Sequence, residues 1–487
     1  MLTELSLPPG VWRNGTILQS RGRFYDANLV RWYEGDLRPM GGWAQKGSSS
    51  VTGKARAMIA WSDNSLLRWV GIGTHSKLYA MDRSGTQYDI TPAGFTAGSA
   101  DGSTSGGFGS GTFGSGYFGT PRTDTGTVTE ATRWHLDTFG ENLIGCTPDD
   151  GKLYKWTLNT GVVAAVIAGA PTNIRGCVVT EEGFIFTLGK DRIVTWCDQQ
   201  DDTVWTPSAT VQAGSYPLAT GGKMMCGRRI RGGTLIWTDL EVFLATYLGP
   251  PLVYGFDRLA SDCGVVSSGA AIVANNVAMW MGKGGFWIYD GFVRPLASDV
   301  GDYVFSSLNT TQASKIFAHH NPAYGEVTWF YPSGSATEID RYVRYNYREN
   351  HWAIGQLCRL SAVEQGIFAY PMMAGSDGKI YEHETGFNYD GTYPYAETGP
   401  LEMNGGASVM MGRQLIPDEK TLGDVSATFY TRLYPTDTET TTGPYTLANP
   451  TDVRFSGREI RARFTGVALS DWRVGMPKID LVKAGGR

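Results

Sequence analysis

The sequence predicts an all-β chain: a β-propeller of roughly six or seven blades, preceded by an N-terminal arm and followed by a small antiparallel β-domain. Three observations lead there. Stretches with helical periodicity are nearly absent. A degenerate strand–turn–strand unit returns along the middle of the chain. The composition suits short strands joined by tight turns: 64 of 487 residues are Gly, with 15 Trp and 24 Tyr, and only 18% are charged.

Short apolar or alternating runs bounded by Gly, Asp, Asn or Pro read as strands. SLLRWVGIG at 65–73, GFIFTL at 183–188, TLIWTD at 234–239, NVAMWMG at 276–282 and GEVTWFYP at 325–332 are examples. The only helical candidates are Ser298 to Leu308, which is short, and Ser361 to Tyr370, which is ambiguous.

The repeat is clearest in NNVAMWMGKGGFWIYDG at 275–291 and returns at 66–82, 142–156, 184–198, 234–247 and 372–386. Each time a turn reverses the chain and the second strand places one large side chain on the buried face. These anchors fall at Tyr79, Tyr154, Val194, Phe243, Trp287, Tyr345 and Tyr381. After the first gap their spacing is comparable with the ~40–45 residues of a four-stranded blade. A chain this long exceeds what one core supports, about 250–300 residues, and a radial repeat spreads the burial over many units.

The expected organisation is therefore an arm at 1–50, a propeller at 51–390 and a β-domain at 391–487. An insertion at 91–128 widens the gap between Tyr79 and Tyr154. Its centre, GGFGSGTFGSGYFGTPR, repeats every five residues with Phe108, Phe113 and Phe118 as anchors. So much Gly disfavours a packed strand, and regular aromatics are unlike a plain linker. The expectation is an extended loop that orders on a neighbouring subunit. In the closing domain, REIRARF mixes Arg458, Arg461 and Arg463 with Ile460 and Phe464, an alternating strand with one polar face.

Catalytic signatures are missing: no G-x-S-x-G elbow, H-E-x-x-H motif, phosphate-binding G-x-x-x-x-G-K-[ST] loop or EF-hand loop occurs. No catalytic residue, metal ligand or cofactor is assigned. Adjacent His319 and His320 on a strand would face opposite ways. His383, between Glu382 and Glu384, reads as a chance exposed cluster. The six cysteines form no CxxC pair and read as reduced, buried thiols. No apolar run approaches the ~20 residues of a membrane-spanning helix, and no secretory leader is expected from MLTELSLPPG. A net charge of −5 is unlike a DNA clamp. Arg228, Arg229 and Arg231 form the densest basic run, expected as a solvated or interface turn and a weak candidate for phosphate contact. Arg21 and Arg23 stand near Trp32 in the arm, a composition of interface hot spots.

Three stretches carry a family resemblance. The opening LPPGVWRNGTILQSRGRFYDANLVRWYEGDLRPMGGW is similar to the N-terminal segment of phage tail structural proteins. The Gly-Phe repeat looks like a loop of the same group, and RFSGREIRARFTGVALSDWRVGMPKIDLVKAGGR resembles their C-terminal ending. The likeness is to the tail nozzle, or packaged-DNA stabilisation, protein of short-tailed bacteriophages. It implies a virion tail component assembled in the host bacterial cytoplasm. The implied assembly is a homo-hexameric ring beneath a portal-adaptor ring, joined to tail fibres or spikes and to a plug or needle, through which DNA passes without sequence readout. The alternative is a receptor- or glycan-binding, or glycan-degrading, propeller of a fibre or spike.

Overall fold

The computed structural model describes residues 2–106, 125–402 and 408–485. Among these residues seven four-stranded antiparallel sheets follow one another along the chain, and they are the blades of a β-propeller. Blade 1 consists of Ala55–Ser62, Arg68–Thr74, Leu78–Asp82 and Gln87–Asp89, from the axis outward. Blades 2 to 6 open with the innermost strands His135–Phe139, Ile174–Val179, Met224–Ile230, Ala271–Ala274 and Phe317–Asn321. Blade 7 takes three strands from Ser361–Val363, Met372–Ala374 and Ile380–His383, and its fourth, Trp43–Lys46, comes from the other end of the chain.

All seven anchors fall on the third strand of a blade, the strand after the predicted reversal. Tyr79, Tyr154, Val194, Phe243 and Tyr345 are buried, while Trp287 and Tyr381 are half-buried. Tryptophan rings fill the wedges between blades. Trp134 of the segment entering blade 2 donates its indole N–H to Thr74 O of blade 1 at 2.8 Å, and Trp329 of blade 6 donates to Ala270 O at the entry to blade 5 at 3.0 Å. Gly73 makes room for the first of these: a Cβ there would lie 2.4 Å from the Trp134 ring.

The C-terminal domain is a sandwich of two antiparallel sheets. One pairs Val409–Ile416 with Thr451–Gly457 and Lys478–Gly485; the other contains Tyr395–Thr398, Glu459–Gly466, Val425–Arg432 and Thr440–Thr446. Along Glu459–Gly466, Ile460, Ala462 and Phe464 face the core with Phe429 and Val453, whereas Arg461 pairs with Glu397 and Glu439 on the other face. Period-2 alternation keeps these charges off the apolar core, and they compensate one another in a largely enclosed ion-pair cluster.

The first 46 residues are stitched through both domains. Leu2–Glu4 extends one sandwich sheet, Phe24–Asn28 extends the other, and Trp43–Lys46 completes blade 7. Between them, Val30–Tyr33 and Asp36–Pro39 form a hairpin. The chain passes Gly10 with φ +90°, where a Cβ would lie 2.8 Å from His351 Cβ and 2.9 Å from Trp352 O. Only glycine lets the backbone lie that close to blade 6.

Arg31 of the hairpin is 2% exposed and is held by two carboxylates. Its guanidinium bonds Glu326 of blade 6 through Nε (3.2 Å) and Nη2 (3.1 Å), and Glu384, just past the third strand of blade 7, through Nη1 (2.9 Å) and Nη2 (2.5 Å). The Tyr324 ring lies against it, 3.6 Å from the guanidinium carbon. Burial opposes both charges, but the mutual attraction outweighs it: the Arg31 pKa is raised and the Glu384 carboxyl is held below its usual value.

The helical candidate at Ser298 to Leu308 contains a helix of six residues, Gly301–Ser306, and the one at Ser361 to Tyr370 begins with a strand. His383 differs from expectation. It is 3% exposed, accepts a hydrogen bond from Arg359 Nε at 2.8 Å and lies against the Trp43 ring, because its strand is covered by Trp43–Lys46. The cysteines are free thiols, all but Cys358 buried.

Two outcomes follow from this closure. Arg31→Met should cost about 3–5 kcal/mol in urea denaturation, because it strands buried carboxylates. Since the Glu384 pKa is lowered in the folded state, its contribution is present above the unfolded value of ~4.3 and lost as the pH falls through and below it. The stability gap between native and Arg31→Met chains should therefore narrow in acid. Separately, a chain beginning at residue 48 should show its first tryptic cuts in blade 7, around residues 360–390; a digestion pattern identical to that of the full chain would rule out closure by Trp43–Lys46.

Candidate functional site

The seven innermost strands enclose a cavity of about 340 Å³ on the propeller axis. A second cavity, about 400 Å³, adjoins it beneath the insertion, and Arg133, His135 and Ser268 line both. Inward-facing positions alternate along each inner strand, so a few side chains from each blade set the chemistry of the axis.

The insertion roofs this end of the axis. Its two strands, Ser103–Gly106 and Thr125–Thr129, pair with each other. Gly98 N donates to His75 O of blade 1 at 2.8 Å, and Thr132 N donates to Ser99 O at 2.9 Å. On the far side Gly102 and Gln312 exchange two hydrogen bonds of 2.9 and 2.7 Å, and Lys315 pairs with Asp101 at 2.5 Å. Gln312 and Lys315 belong to the 3-10 turn Thr310–Lys315 that leads into blade 6. The roof thus spans from blades 1 and 2 to blade 6. Arg56, 1% exposed on the first inner strand, fixes the same region by a two-pronged pair with Glu338 at 2.7 and 2.9 Å and a bond to Ala100 O at 2.9 Å.

Three arginines, Arg133, Arg228 and Arg229, and two carboxylates, Asp137 and Glu364, stand among the mostly apolar and small side chains that line the axial cavity. Arg229 pairs with Asp137 at 2.9 Å, while Arg175 and Lys223 share Glu130. Among the described residues Arg228 bonds only backbone carbonyls, those of Gly227, Ser268 and Ala271. Arg133 has no hydrogen bond or ion pair among the described residues, and its Nη1 is shielded from solvent. Burial, then the neighbouring Arg228 and Arg56 charges, pull the Arg133 pKa down. Burial, then Arg228, Arg133 and Arg175, push His135 down to about 3, so its imidazole is neutral at physiological pH.

Of the residues singled out in the sequence, Phe108, Phe113 and Phe118 lie outside the described residues. Arg21 sits in the exposed turn after Ile17–Ser20. Arg23 pairs with Asp299 at 3.1 Å within the chain. Trp32 is 2% exposed, with Phe24 and His351 rings 5.0 and 6.2 Å away, so its surface is committed to the core. Arg228 and Arg229 belong to the innermost strand of blade 4 rather than to a turn, and only Arg231 is at the reversal that follows. Arg133 and His135, in RWHLD, gave no motif: their meeting with Arg228 joins strands of different blades.

A wider cleft of about 780 Å³ lies outside the axis, beside blade 5, with Trp287, Asp239, Asp262, Lys283 and Asp302 in its walls. Among the described residues no group of three or more His, Cys, Asp and Glu is arranged to hold a metal ion, and no helix is long and apolar enough to cross a membrane.

No family model matches this chain, and no curated protein matches it. Solved structures with a similar arrangement include a streptogramin B lyase, at 10% identity over 70% of this chain and 96% of that one (TM-score 0.40). Virginiamycin B lyase from Staphylococcus aureus matches at 8% identity over 69% and 97% (TM-score 0.41), and YCF48 bound to D1 peptide at 10% over 71% and 97% (TM-score 0.40). At superpositions this loose, nothing of their chemistry transfers to this chain. The propeller assignment stands on the seven sheets themselves.

Proposed function

We propose that this protein is a structural component of a phage tail, a nozzle subunit whose ring extends the DNA channel, helps retain and then release the genome, and anchors other tail parts. The observation that carries the reading is the base of the Gly-Phe insertion. The residues leading into its paired strands are pinned, Gly98 and Ser99 to blade 1 and the entry of blade 2, and Asp101 and Gly102 to the turn that leads into blade 6. The sequence between these strands, with Phe108, Phe113 and Phe118, is the expected contact with a neighbouring subunit. The three sequence stretches that resemble the nozzle family support the same reading.

A propeller welded to a sandwich is also a sensible ring subunit. A closed ring needs two different surfaces at a fixed angle on each copy, and the N-terminal strands that enter both domains would hold that angle. The axial cavity, about 340 Å³, is of small-molecule size, so the DNA conduit belongs to the space between subunits.

The second reading, a receptor- or glycan-binding or glycan-degrading propeller, is favoured by the cleft beside blade 5, where an indole and several carboxylates share one wall system. Purified protein examined by negative-stain microscopy and mass photometry separates the two. The nozzle reading expects six-fold rings, reduced to monomers when Phe108, Phe113 and Phe118 are all changed to Ser. Trimers, or release of reducing ends from host surface polysaccharide that Asp262→Asn abolishes, would sink it in favour of the second.

A further inference from the structure

Two guanidinium groups on the propeller axis lack a carboxylate partner among the described residues. Asp137 is occupied by Arg229 and by the Val179 and Thr138 amides, Glu130 by Arg175 and Lys223, and Glu338 by Arg56. Glu364, also on the wall, faces His320. Asp149, in the adjoining cavity, accepts from Thr132. That leaves Arg133 and Arg228, which stand close enough that the Arg228 charge disfavours the charged form of Arg133.

Their placement is built. A Cβ at Gly269 would lie 2.3 Å from the Arg133 guanidinium carbon, so the absence of a side chain at 269 is what admits the group to the axis. Gly176 does the same for the His135 ring, where a Cβ would come within 2.8 Å of Nδ1. Arg228 is oriented by three carbonyl oxygens. Both arginines are half-buried; partial desolvation of an unpaired cation is costly, and the unbonded, solvent-shielded Nη1 of Arg133 adds to that cost. Both penalties are offset when an oxyanion sits between the two forks, because charge-assisted hydrogen bonds from arginine to such groups are strong and frequently bidentate.

We propose that the axial cavity is a binding site for a small oxyanion, a phosphate or a carboxylate group, held by Arg133 and Arg228 beside His135. The site is independent of the tail reading, since it lies inside one subunit. Its walls of about 340 Å³ set the scale of the molecule that carries the anion: one phosphate or carboxylate with a small organic body.

The test is a thermal-unfolding titration of the full chain at pH 7.5 with sodium phosphate in one arm and sodium acetate in the other, sodium chloride holding the ionic strength. A ligand that binds only the folded state raises Tm as its concentration exceeds Kd. The expected result is a saturable rise in at least one arm, with an apparent affinity at least ten-fold weaker in Arg133→Met and in Arg228→Gln. A rise with phosphate alone assigns a phosphate-bearing molecule, and with acetate alone a carboxylate-bearing one. If Arg133→Met does not fold, Gly269→Ala supplies the same readout, because it displaces the guanidinium while keeping both charges. No rise in either arm, or a rise of equal affinity in the variants, overturns the proposal.

Discussion

The architecture depends on one buried guanidinium. Arg31 enters from the N-terminal hairpin and is gripped by Glu326 of blade 6 and by Glu384 beyond the third strand of blade 7. Glu384 in turn accepts from Gly41 N at 3.0 Å and Asn321 Nδ2 at 3.1 Å. Gly41 is two residues before the strand that closes the ring. Buried ions are expensive to desolvate and are tolerated only in a geometry that satisfies every lone pair. The network therefore selects a single docking of the N-terminal segment against blades 6 and 7, and with it the register of Trp43–Lys46.

The rest of the propeller is held by repetition. Separate apolar clusters fill the wedges between neighbouring blades, such as Val70, Ile72 and Met81 with Met372 and Ile380, or Phe186 and Trp196 with Ile236 and Phe243. Burial is thus distributed, which is how a chain of 487 residues avoids needing one oversized core. Indole N–H groups add direction to this packing: Trp134 and Trp329 donate to carbonyls of an adjoining blade, so each ring is both filler and hydrogen-bonded tie. The same logic explains why glycines such as Gly73 and Gly269 occur where a large side chain crosses a neighbouring strand.

Local patterns exposed much of this. The hairpins at 66–82, 142–156, 184–198, 234–247, 275–291 and 372–386 are the second and third strands of blades 1, 2, 3, 4, 5 and 7, because a turn and an alternating pair of strands are encoded within about fifteen residues. Glu326–Tyr331 and Arg341–Asn346 of blade 6 are separated by a longer connection, so the apolar run at 325–332 and the anchor Tyr345 marked them separately rather than as one hairpin unit. Trp32 illustrates the opposite case. Its setting among arginines resembles an interaction surface, yet Phe24 and His351 enclose it, and the second of these lies more than three hundred residues away. His383 was misplaced for the same reason: its flanking glutamates suggest exposure, but a strand from residues 43–46 covers it.

What the amino-acid sequence by itself determined was the all-β character, the positions of the blade anchors and the alternation of the C-terminal strands. All three arise from neighbours a few residues apart, through turn chemistry and the two-residue period of a strand. Only the tertiary structure decided how the ring closes, that the first 46 residues serve both domains, and that Arg133, His135 and Arg228 share an axis. Those outcomes rest on contacts between residues roughly 90 to 480 positions apart in the chain. Such pairings are chosen by burial and charge compensation in the assembled fold, and no local period records them.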